Sequence, residues 1–365
     1  MTNEASTDGA GSSTCTNYHR RRYATSGTGR PLLSVDLHCH VLTPEVEAVV
    51  CGLPEKVEEQ AKVIQTVGSE SCEYNASMMA DLLPKLTDAS VRLKDMDEMG
   101  IDVQALSPSP TQYYYWADHE VASRIVRLQN DRIAELCAFD PQRFVGLGGV
   151  SLQFPDLAAE QLEHCVKNLG FRGVEISSSV NGKEIADREF TPFWQKAEDL
   201  GVIVFLHPLG TSLGQRVNRY YLANLIGVPL ETTIALSHLI FGGVLDRHPG
   251  LKILAAHGGG FLGSYCGRTQ HGWRVRPECR RILRSPREYL KQIYFDSVVY
   301  DPEELQHIVR NVGASQLVIG TDYPFDMGNH DPLELIGSSS ELSVEDKDKI
   351  IGLNAAQLLG IRQPA

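Results

Sequence analysis

Two histidines alternate along one apolar segment near the start of the chain, and this feature constrains the fold more than any other. The segment reads Ser34-Val-Asp-Leu-His38-Cys-His40. Because successive side chains of a β-strand point to opposite faces, His38 and His40 point to the same face. Neutral imidazole is a good metal ligand, but a metal ion needs further protein ligands to be held. The pair therefore predicts partners elsewhere in the chain.

Three later apolar runs end in a histidine or an aspartate shortly before a glycine or a proline. They are Val202-Ile-Val-Phe-Leu-His207, Leu251-Lys-Ile-Leu-Ala-Ala-His257 and Leu317-Val-Ile-Gly-Thr-Asp322. In a closed barrel of parallel strands, the carboxyl ends of all strands meet on one face. The repeated pattern therefore predicts that side chains far apart in the sequence converge on one site.

Strand-like and helix-like segments alternate along the rest of the chain. With the His38 segment as the first strand, the others are predicted at residues 103–107, 144–152, 173–177, 202–207, 251–257, 292–299 and 317–322. Eight such units predict an α/β fold, a (β/α)8 TIM-like barrel. A chain of 365 residues with 42% hydrophobic content is long enough for one such core.

Two segments depart from the barrel pattern. Residues 1–30 are rich in serine, threonine and glycine, and their basic patch is followed by no apolar stretch, which predicts a disordered tail rather than a secretory signal. Residues 45–90 are helical and charged, which predicts an insertion subdomain after the first strand. The barrel domain is then expected to cover residues 31–362.

Composition narrows the partners. A net charge of −12 argues against nucleic acid or an acidic membrane surface, but it leaves room for a small anionic substrate in a locally basic cleft. No apolar run was expected to reach the length that spans a bilayer. The eight cysteines form no Cys-x-x-Cys pair and have no regular spacing. Reduced thiols in a soluble cytoplasmic protein are therefore predicted.

Seven motifs after residue 33 carry a family resemblance. They are Asp36-Leu-His-Cys-His40, Val91-Arg-Leu-Lys-Asp-Met-Asp, Arg143-Phe-Val-Gly-Leu-Gly, Pro229-Leu-Glu-Thr-Thr233, Gly242-Gly-Val-Leu-Asp-Arg, Ala256-His-Gly-Gly-Gly260 and Gly320-Thr-Asp-Tyr-Pro-Phe325. With them the chain resembles the amidohydrolase superfamily, in particular the metal-dependent decarboxylases typified by 2-amino-3-carboxymuconate semialdehyde decarboxylase. The resemblance implies that His38, His40, His207 and Asp322 bind one divalent metal and that His257 beside it is catalytic.

The chemistry of these residue types agrees with that division. Three imidazoles and one carboxylate leave coordination positions open for water or substrate, as a catalytic metal requires. Binuclear members of the superfamily usually bridge two metals with a lysine on strand four. Strand four here contains Glu175, and Lys183 lies beyond it. One metal ion is therefore favoured, zinc before manganese, while Glu175 keeps a second ion open.

Such a site can support two kinds of reaction. In hydrolysis, an activated water attacks a carbonyl while Asp322 or His257 moves a proton; in non-oxidative decarboxylation, the same two residues are the candidate acids that protonate carbon. We interpret the chain as a metal-dependent carboxy-lyase acting on an aromatic or muconate-type acid. A hydrolase or hydratase of a related ring-cleavage acid or lactone is the first alternative. A non-enzymatic metal-binding barrel is the second, although a structural site would not need His257 or an open position.

Resemblance also supplies candidate substrate-binding residues. Arg268 and Arg276 lie where the decarboxylases carry such arginines, one of which reaches the site of the neighbouring subunit, so a homodimer is expected. Arginine suits a carboxylate because its planar fork bonds both oxygens. The three glycines after His257 have two readings, either room for a substrate or a turn that leaves strand six.

One departure from the family concerns the insertion. The family places a further substrate-binding arginine there, but no arginine occurs between Pro44 and Arg92. Possible replacements are Lys56, Lys62 and Lys85, and the run Tyr113-Tyr-Tyr-Trp116 is a candidate lining of an altered pocket. We therefore expect a substrate other than the one that names the family.

Overall fold

A computed structural model describes residues 24–25 and 31–364 of the chain. Apart from Ala24–Thr25, the tail predicted to be disordered over residues 1–30 lies outside the described residues. Ala24–Thr25 pairs antiparallel with Pro31–Leu32, just before the first barrel strand.

Seven parallel strands form a curved sheet in which each strand pairs with its neighbours in sequence order. The strands are β1 (Val35–Val41), β2 (Val103–Pro108), β3 (Phe144–Gly148), β4 (Gly173–Ile176), β5 (Ile203–Leu206), β6 (Lys252–Ala255) and β7 (Tyr294–Phe295). Two further two-residue strands, Ser179–Val180 and Lys183–Glu184, form a hairpin after β4. The prediction of a TIM-like barrel is confirmed by this parallel sheet and its helices.

The eighth position of the barrel differs from a regular strand. Residues 317–323 form only isolated parallel bridges, from Leu317 to β7 and from Ile319 and Tyr323 to β1. The Leu37 amide donates to the Ile319 carbonyl at 3.0 Å, so this segment still joins the two edges of the sheet. Asp322 has a φ of +56°, outside the β region, which explains why the predicted strand 317–322 is not continuous.

Helices surround the strands. Their bounds are α1 Pro44–Val50, α2 Pro54–Val67, α3 Ser69–Thr87, α4 Ala89–Met99, α5 His119–Phe139, α6 Pro155–Lys167, α7 Thr191–Leu200, α8 Val228–Phe241, α9 Val244–Arg247, α10 Cys266–Val275, α11 Pro286–Leu290, α12 Pro302–Val312, α13 Pro332–Ser338, α14 Val344–Asp348 and α15 Asn354–Leu359. Several starts are encoded locally, because the carboxylates of Asp88, Asp118 and Asp301 accept backbone N–H groups in the first turns of α4, α5 and α12.

The first barrel strand contains a bulge that decides which way the two histidines point. The register between β1 and β2 shifts between Asp36 and Cys39. Before the shift, Val35 and Leu37 pack in the cluster that also holds inward-facing residues of β5. After it, Cys39 and Val41 pack in the larger cluster under the helices. The bulge therefore turns the side chains of His38 and His40 into the barrel.

One helical stretch bears on the membrane prediction. Among the described residues, Ala223–Phe241 is long and apolar enough, by length and composition, to cross a membrane, which corrects the expectation that no run reaches that length. Its Ala235, Leu236 and Leu239 are fully buried in the cluster between strands and helices. A core helix of a barrel meets the same two criteria.

Candidate metal centre

Four histidine rings meet at the carboxyl ends of the strands. The ring centroid of His207, which follows β5, lies 4.9 Å from that of His38 and 4.8 Å from that of His40. The ring of His257, which follows β6, lies 5.0 Å from that of His207. These strand ends therefore converge as predicted, and neighbouring ring centroids among the four imidazoles lie 4.8–5.2 Å apart.

Asp322 completes the cluster. Its Oδ1 lies 3.3 Å from His38 Nε2 and 3.4 Å from His40 Nε2, and its Oδ2 lies 3.6 Å from His257 Nε2. One ligand atom from each of His38, His207, His257 and Asp322 lies within 4.8 Å of the others. By distance alone His257 is as close as the predicted ligands, so its separate catalytic role stays a prediction.

The donor set fits a divalent cation. Both ring nitrogens of His207 and the Nδ1 of His257 are buried without a hydrogen-bond partner among the described residues. Leaving such a buried polar atom unpaired costs about 1–3 kcal/mol. A cation held between the imidazoles and the carboxylate would satisfy one nitrogen of His207, and imidazole with carboxylate is a ligand set that zinc and related ions accept.

The negative charges of Asp322 and Asp296 favour a positive charge at the cluster, either a proton on His38 or a metal ion that displaces it. Burial lowers the pKa of His38, but the charge of Asp322 and the hydrogen bond with Asp296 outweigh it and raise the pKa to about 10. Burial, together with the neighbouring histidine charges, holds the pKa of His207 well below its usual value, so this ring is neutral and able to bind a metal. Burial would raise the pKa of Asp322, yet the neighbouring histidines hold it well below its usual value.

The Nδ1 atoms of the two β1 histidines face two buried carboxylates, Asp296 and Glu175. The sequence analysis did not assign either carboxylate to these histidines. The Nδ1 of His38 lies 2.6 Å from Asp296 Oδ2, and the Nδ1 of His40 lies 3.4 Å from Glu175 Oε2 and 3.2 Å from the Pro108 carbonyl. An acceptor at Nδ1 leaves Nε2 free to face the centre. In the sequence, the available signal for these carboxylates was an acidic residue within an apolar strand, as for Glu175, or directly after one, as for Asp296.

A second network anchors β1 from outside the barrel. The buried carboxylate of Asp36 accepts from Thr321 Oγ1 at 2.6 Å and from the Gln104 side-chain amide at 3.0 Å. Arg92 on α4 donates to Gln104 at 3.1 Å and also to the carbonyl of His40. This network connects β1, β2, α4 and the segment before Asp322, and it contains residues of three of the seven sequence motifs.

The aromatic run after β2 divides between two environments. Tyr113 donates to Glu175 Oε1 at 2.5 Å and to the His207 carbonyl at 3.0 Å, and its ring stacks on Tyr115 at 5.4 Å. The next residues face the insertion instead, since Tyr114 and Trp116 donate to glutamates of α1 and α2. Only half of the predicted lining residues therefore point toward the centre.

The lysines suggested as replacements for a substrate-binding arginine have other contacts. Lys56 donates to Tyr114 Oη at 2.8 Å, and Lys85 pairs with Asp95 at 3.1 Å. Lys62 is exposed on α2. None of the three has a contact with the metal-ligand cluster among the described residues.

The two candidate arginines lie on the surface of the single chain. Arg268 is exposed in the first turn of α10 and makes no hydrogen bond or ion pair with the described residues. Arg276 follows α10, and its side chain, 65% exposed, pairs with Glu278. The structure thus brings neither arginine to the cluster within one subunit.

The glycine run after His257 packs against the protein itself. A Cβ on Gly258 would lie 2.5 Å from Val299 Cγ1, and a Cβ on Gly260 would lie 2.0 Å from the Pro229 carbonyl oxygen. All three glycines have positive φ. Of the two readings of this run, the structure supports the tight turn that leaves strand six.

Comparison with known sequences places this centre among decarboxylases. The sequence profile of the family described as Amidohydrolase matches residues 35–361. The chain is 34% identical over 337 residues to 2-amino-3-carboxymuconate-6-semialdehyde decarboxylase of Dictyostelium discoideum, covering 90% of this chain and 92% of that protein. It is 30% identical over 321 residues to gamma-resorcylate decarboxylase of Rhodococcus jostii, covering 83% and 97%.

A solved structure gives the same result. The crystal structure of dihydroxybenzoic acid decarboxylase from Polaromonas sp. JS666, with bound manganese and the inhibitor 2-nitroresorcinol, is similar with a TM-score of 0.73 and 26% identity. The alignment covers 90% of this chain and 97% of that one. The similarity thus extends over most of both chains.

Proposed function

This chain belongs to the amidohydrolase family, and we propose that it is a metal-dependent carboxy-lyase that removes carbon dioxide, without oxidation, from an aromatic or muconate-type acid. The observation that carries the proposal is the meeting of four imidazoles and the ionised Asp322 at the mouth of the barrel. The relatives at 34% and 30% identity are both decarboxylases, one of a muconate semialdehyde and one of a resorcylate, which supports this substrate class.

The reaction requires one bond to break and one proton to be delivered. The bond between the substrate carbon and its carboxylate breaks, carbon dioxide leaves, and the remaining electron pair takes up a proton at that carbon. A divalent ion bound by His38, His40, His207 and Asp322 would polarise a carboxylate or phenolate oxygen of the substrate.

His257 is placed to manage the proton. Its side chain is 13% exposed, whereas those of His38 and His40 are fully buried, so its ring is more accessible from solvent than theirs. Its Nε2 lies 3.6 Å from Asp322 Oδ2, and the carboxylate can hold the ring as it takes up and releases a proton. Tyr113, bonded to Glu175 and to the His207 carbonyl, lies on the His207 side of the cluster.

We propose one ion per chain, zinc before manganese. Three imidazoles and a carboxylate are a common zinc ligand set, whereas manganese is the ion in the Polaromonas structure. Against a second ion, Glu175 Oε1 is already bonded to Tyr113 at 2.5 Å. Metal analysis of the purified protein measures this, and two tightly bound ions per chain would overturn the assignment.

We further propose a cytoplasmic homodimer in which Arg268 binds the substrate carboxylate in the neighbouring subunit. Arg268 has no partner among the described residues, and a cation in the first turn of a helix opposes the helix dipole, so its own helix gives no reason for it. The aromatic rings of Phe261 and Tyr265 are exposed close by in the sequence, as expected of an interface. The seven described cysteines are all free, which supports a reducing compartment.

The test of the function is a screen for carbon dioxide release. Purified protein is incubated with hydroxybenzoic, carboxyvanillic and muconate-type acids, with simple esters and lactones as the hydrolase arm. We expect release from at least one acid, loss of release after chelation, and recovery when zinc or manganese is added back. Turnover of a lactone together with no release from any acid would replace the carboxy-lyase by the hydrolase.

A further inference from the structure

Asp296, directly after β7, contacts two parts of the centre at once. Its Oδ2 lies 2.6 Å from His38 Nδ1 and accepts the backbone N–H of His257 at 2.9 Å. Its Oδ1 accepts the backbone N–H of Gly258 at 2.8 Å and that of Val298 at 3.1 Å. One carboxylate therefore bonds both the ring of a metal ligand and the backbone of the candidate catalytic residue.

The backbone at His257 has an unusual conformation that this carboxylate explains. His257 and Gly258 have φ values of +55° and +60°. A non-glycine residue in this left-handed region costs about 1–3 kcal/mol and persists only where its surroundings enforce it. Successive N–H groups that point into one concavity form an anion-binding nest. The two oxygens of Asp296 occupy that nest and hold the turn that directs His257 toward Asp322.

The contact with His38 sets which ring nitrogen faces the centre. Because Asp296 Oδ2 accepts at Nδ1, the hydrogen of the neutral ring lies on Nδ1 and the lone pair on Nε2. Nε2 is the atom that lies 3.3 Å from Asp322 Oδ1. Both side chains are fully buried, so water cannot take over the acceptor role.

We propose that Asp296 is a positioning residue that couples metal binding to catalysis: it presents Nε2 of His38 to the ion and, through the nest, places His257 beside it. Its carboxylate reaches the centre only through these two histidines. The part that concerns His257 rests on the proposed function, whereas the part that concerns His38 requires only a metal.

A matched control exists at the other end of the barrel. Asp102, at the amino end of β2, is also a buried carboxylate, and its Oδ2 accepts from the Ser34 backbone N–H at 3.0 Å and from Ser34 Oγ at 3.1 Å. Asp102→Asn removes a buried charge from the same barrel without touching the centre. This variant shows the effect of losing a buried carboxylate in general. An effect seen only in the Asp296 variant is then specific to Asp296.

The experiment compares Asp296→Asn with Asp102→Asn. The amide keeps the shape but replaces one acceptor oxygen by a donor, so it cannot serve all four donors that now face Asp296. For Asp296→Asn we expect zinc affinity, measured by chelator competition, to fall about 10- to 100-fold. At saturating zinc, we expect kcat to fall about 100-fold or more while KM changes little. Asp102→Asn should change neither.

The outcomes decide between the parts of the proposal. Unchanged zinc affinity would overturn the role at His38, and weaker affinity with wild-type kcat at saturating zinc would overturn the coupling to His257. Zinc affinity is measured without substrate, so a failed decarboxylase assay leaves that result intact.

A measurement on the wild-type protein covers the case in which Asp296→Asn does not fold. Histidine-labelled, zinc-loaded protein is studied by nitrogen NMR, with the His38 signals assigned by loss in His38→Ala. We expect zinc on Nε2 of His38 and a strongly downfield proton on Nδ1. A proton on Nε2, or zinc on Nδ1, would overturn the proposal.

Discussion

His207 shows most directly how the centre depends on a ligand that comes from outside the chain. Its ring is buried between two other imidazoles, its pKa is held low by burial and by their charges, and neither nitrogen has a partner among the described residues. His257 differs because its ring lies nearer the opening and its backbone is held by Asp296. We therefore predict different effects for alanine substitutions at His207 and at His257.

We expect His207→Ala to lose most of the metal and His257→Ala to keep it. Loss of a direct ligand should weaken affinity by more than the roughly 10- to 100-fold of an outer partner. Loss of a general acid should lower kcat about 100- to 10,000-fold. Metal content and turnover are measured on the same preparations. If His257→Ala lost its metal as readily as His207→Ala, His257 would be a ligand and the division of roles would be wrong.

Metal binding should depend on pH through His38. Burial lowers its pKa, but Asp322 and Asp296 outweigh burial and raise it from 6.5 to about 10 in the metal-free protein. The stabilisation from this raised pKa is fully present below pH 6.5 and is lost as the pH rises toward 10. Because the ion must displace the proton, metal affinity should rise over the same range.

Calorimetry of metal binding tests this dependence. Near pH 7 we expect about one proton to be released from His38 for each ion bound. The number is obtained from the heat of binding in buffers of different ionisation enthalpy. An affinity that stays constant between pH 6.5 and 9 would contradict the prediction, since a raised pKa of about 10 implies competition with protons throughout that range.

At the scale of elements, the turns that follow the strands position the site more than the strands do. Asp322 and His257 both have left-handed backbones, at φ of +56° and +55°, where their strands have already ended. The bulge in β1 has the same effect for His38 and His40. Each irregularity re-aims a side chain that a regular strand would have directed elsewhere.

The glycine turn after β6 gives a stability prediction. Gly260 has a φ of +61°, and a Cβ there would lie 2.0 Å from the Pro229 carbonyl oxygen. We expect Gly260→Ala to lower the free energy of unfolding by more than the 1–3 kcal/mol or so that the backbone conformation alone costs. Urea unfolding measures the change.

Gly267→Ala is the control for this substitution. Gly267 lies in α10, and a Cβ there would meet nothing within 4 Å. Its free energy of unfolding should stay unchanged or rise by up to about 1 kcal/mol, because alanine favours a helix more than glycine does. Equal losses in the two variants would show that the close contact with Pro229 is not what requires glycine at position 260.

At the scale of the whole molecule, neither Arg268 nor Arg276 has a contact with the metal-ligand cluster of its own chain among the described residues. The chain carries a net charge of −12, so an anionic substrate needs a local positive charge to be attracted and held. Arg268 is exposed and has no hydrogen-bond or ion-pair partner among the described residues. A site shared between subunits would supply what the single chain lacks.

Subunit mixing tests this arrangement. Arg268→Ala and His257→Ala should each be inactive, while metal content and fold are kept in both. Mixed dimers contain one site with an intact histidine and an intact arginine, so equal mixing should recover about a quarter of the wild-type activity. No recovery, with subunit exchange demonstrated, would place Arg268 in the site of its own chain or outside the site.

The sequence by itself determined the barrel, the starts of most strands and the cluster of strand-end residues, because these follow from local periodicity and from the common direction of parallel strands. The strands predicted to start at residues 103, 144, 173, 202, 251 and 292, for example, start in the structure at residues 103, 144, 173, 203, 252 and 294. Strict alternation from Val35, however, would have placed His38 and His40 on the outer face of β1. The bulge that prevents this is seen only in the pairing with β2.

Only the tertiary structure decided what supports the cluster. Asp296 and His38 are 258 residues apart, and no local pattern connects them. The division of the run Tyr113 to Trp116 between the centre and the insertion likewise depends on which carboxylates lie nearby once the barrel has closed. Periodicity encodes the direction of a strand, whereas the partner of a buried polar group is set by whichever distant side chain the closed fold brings within hydrogen-bond distance.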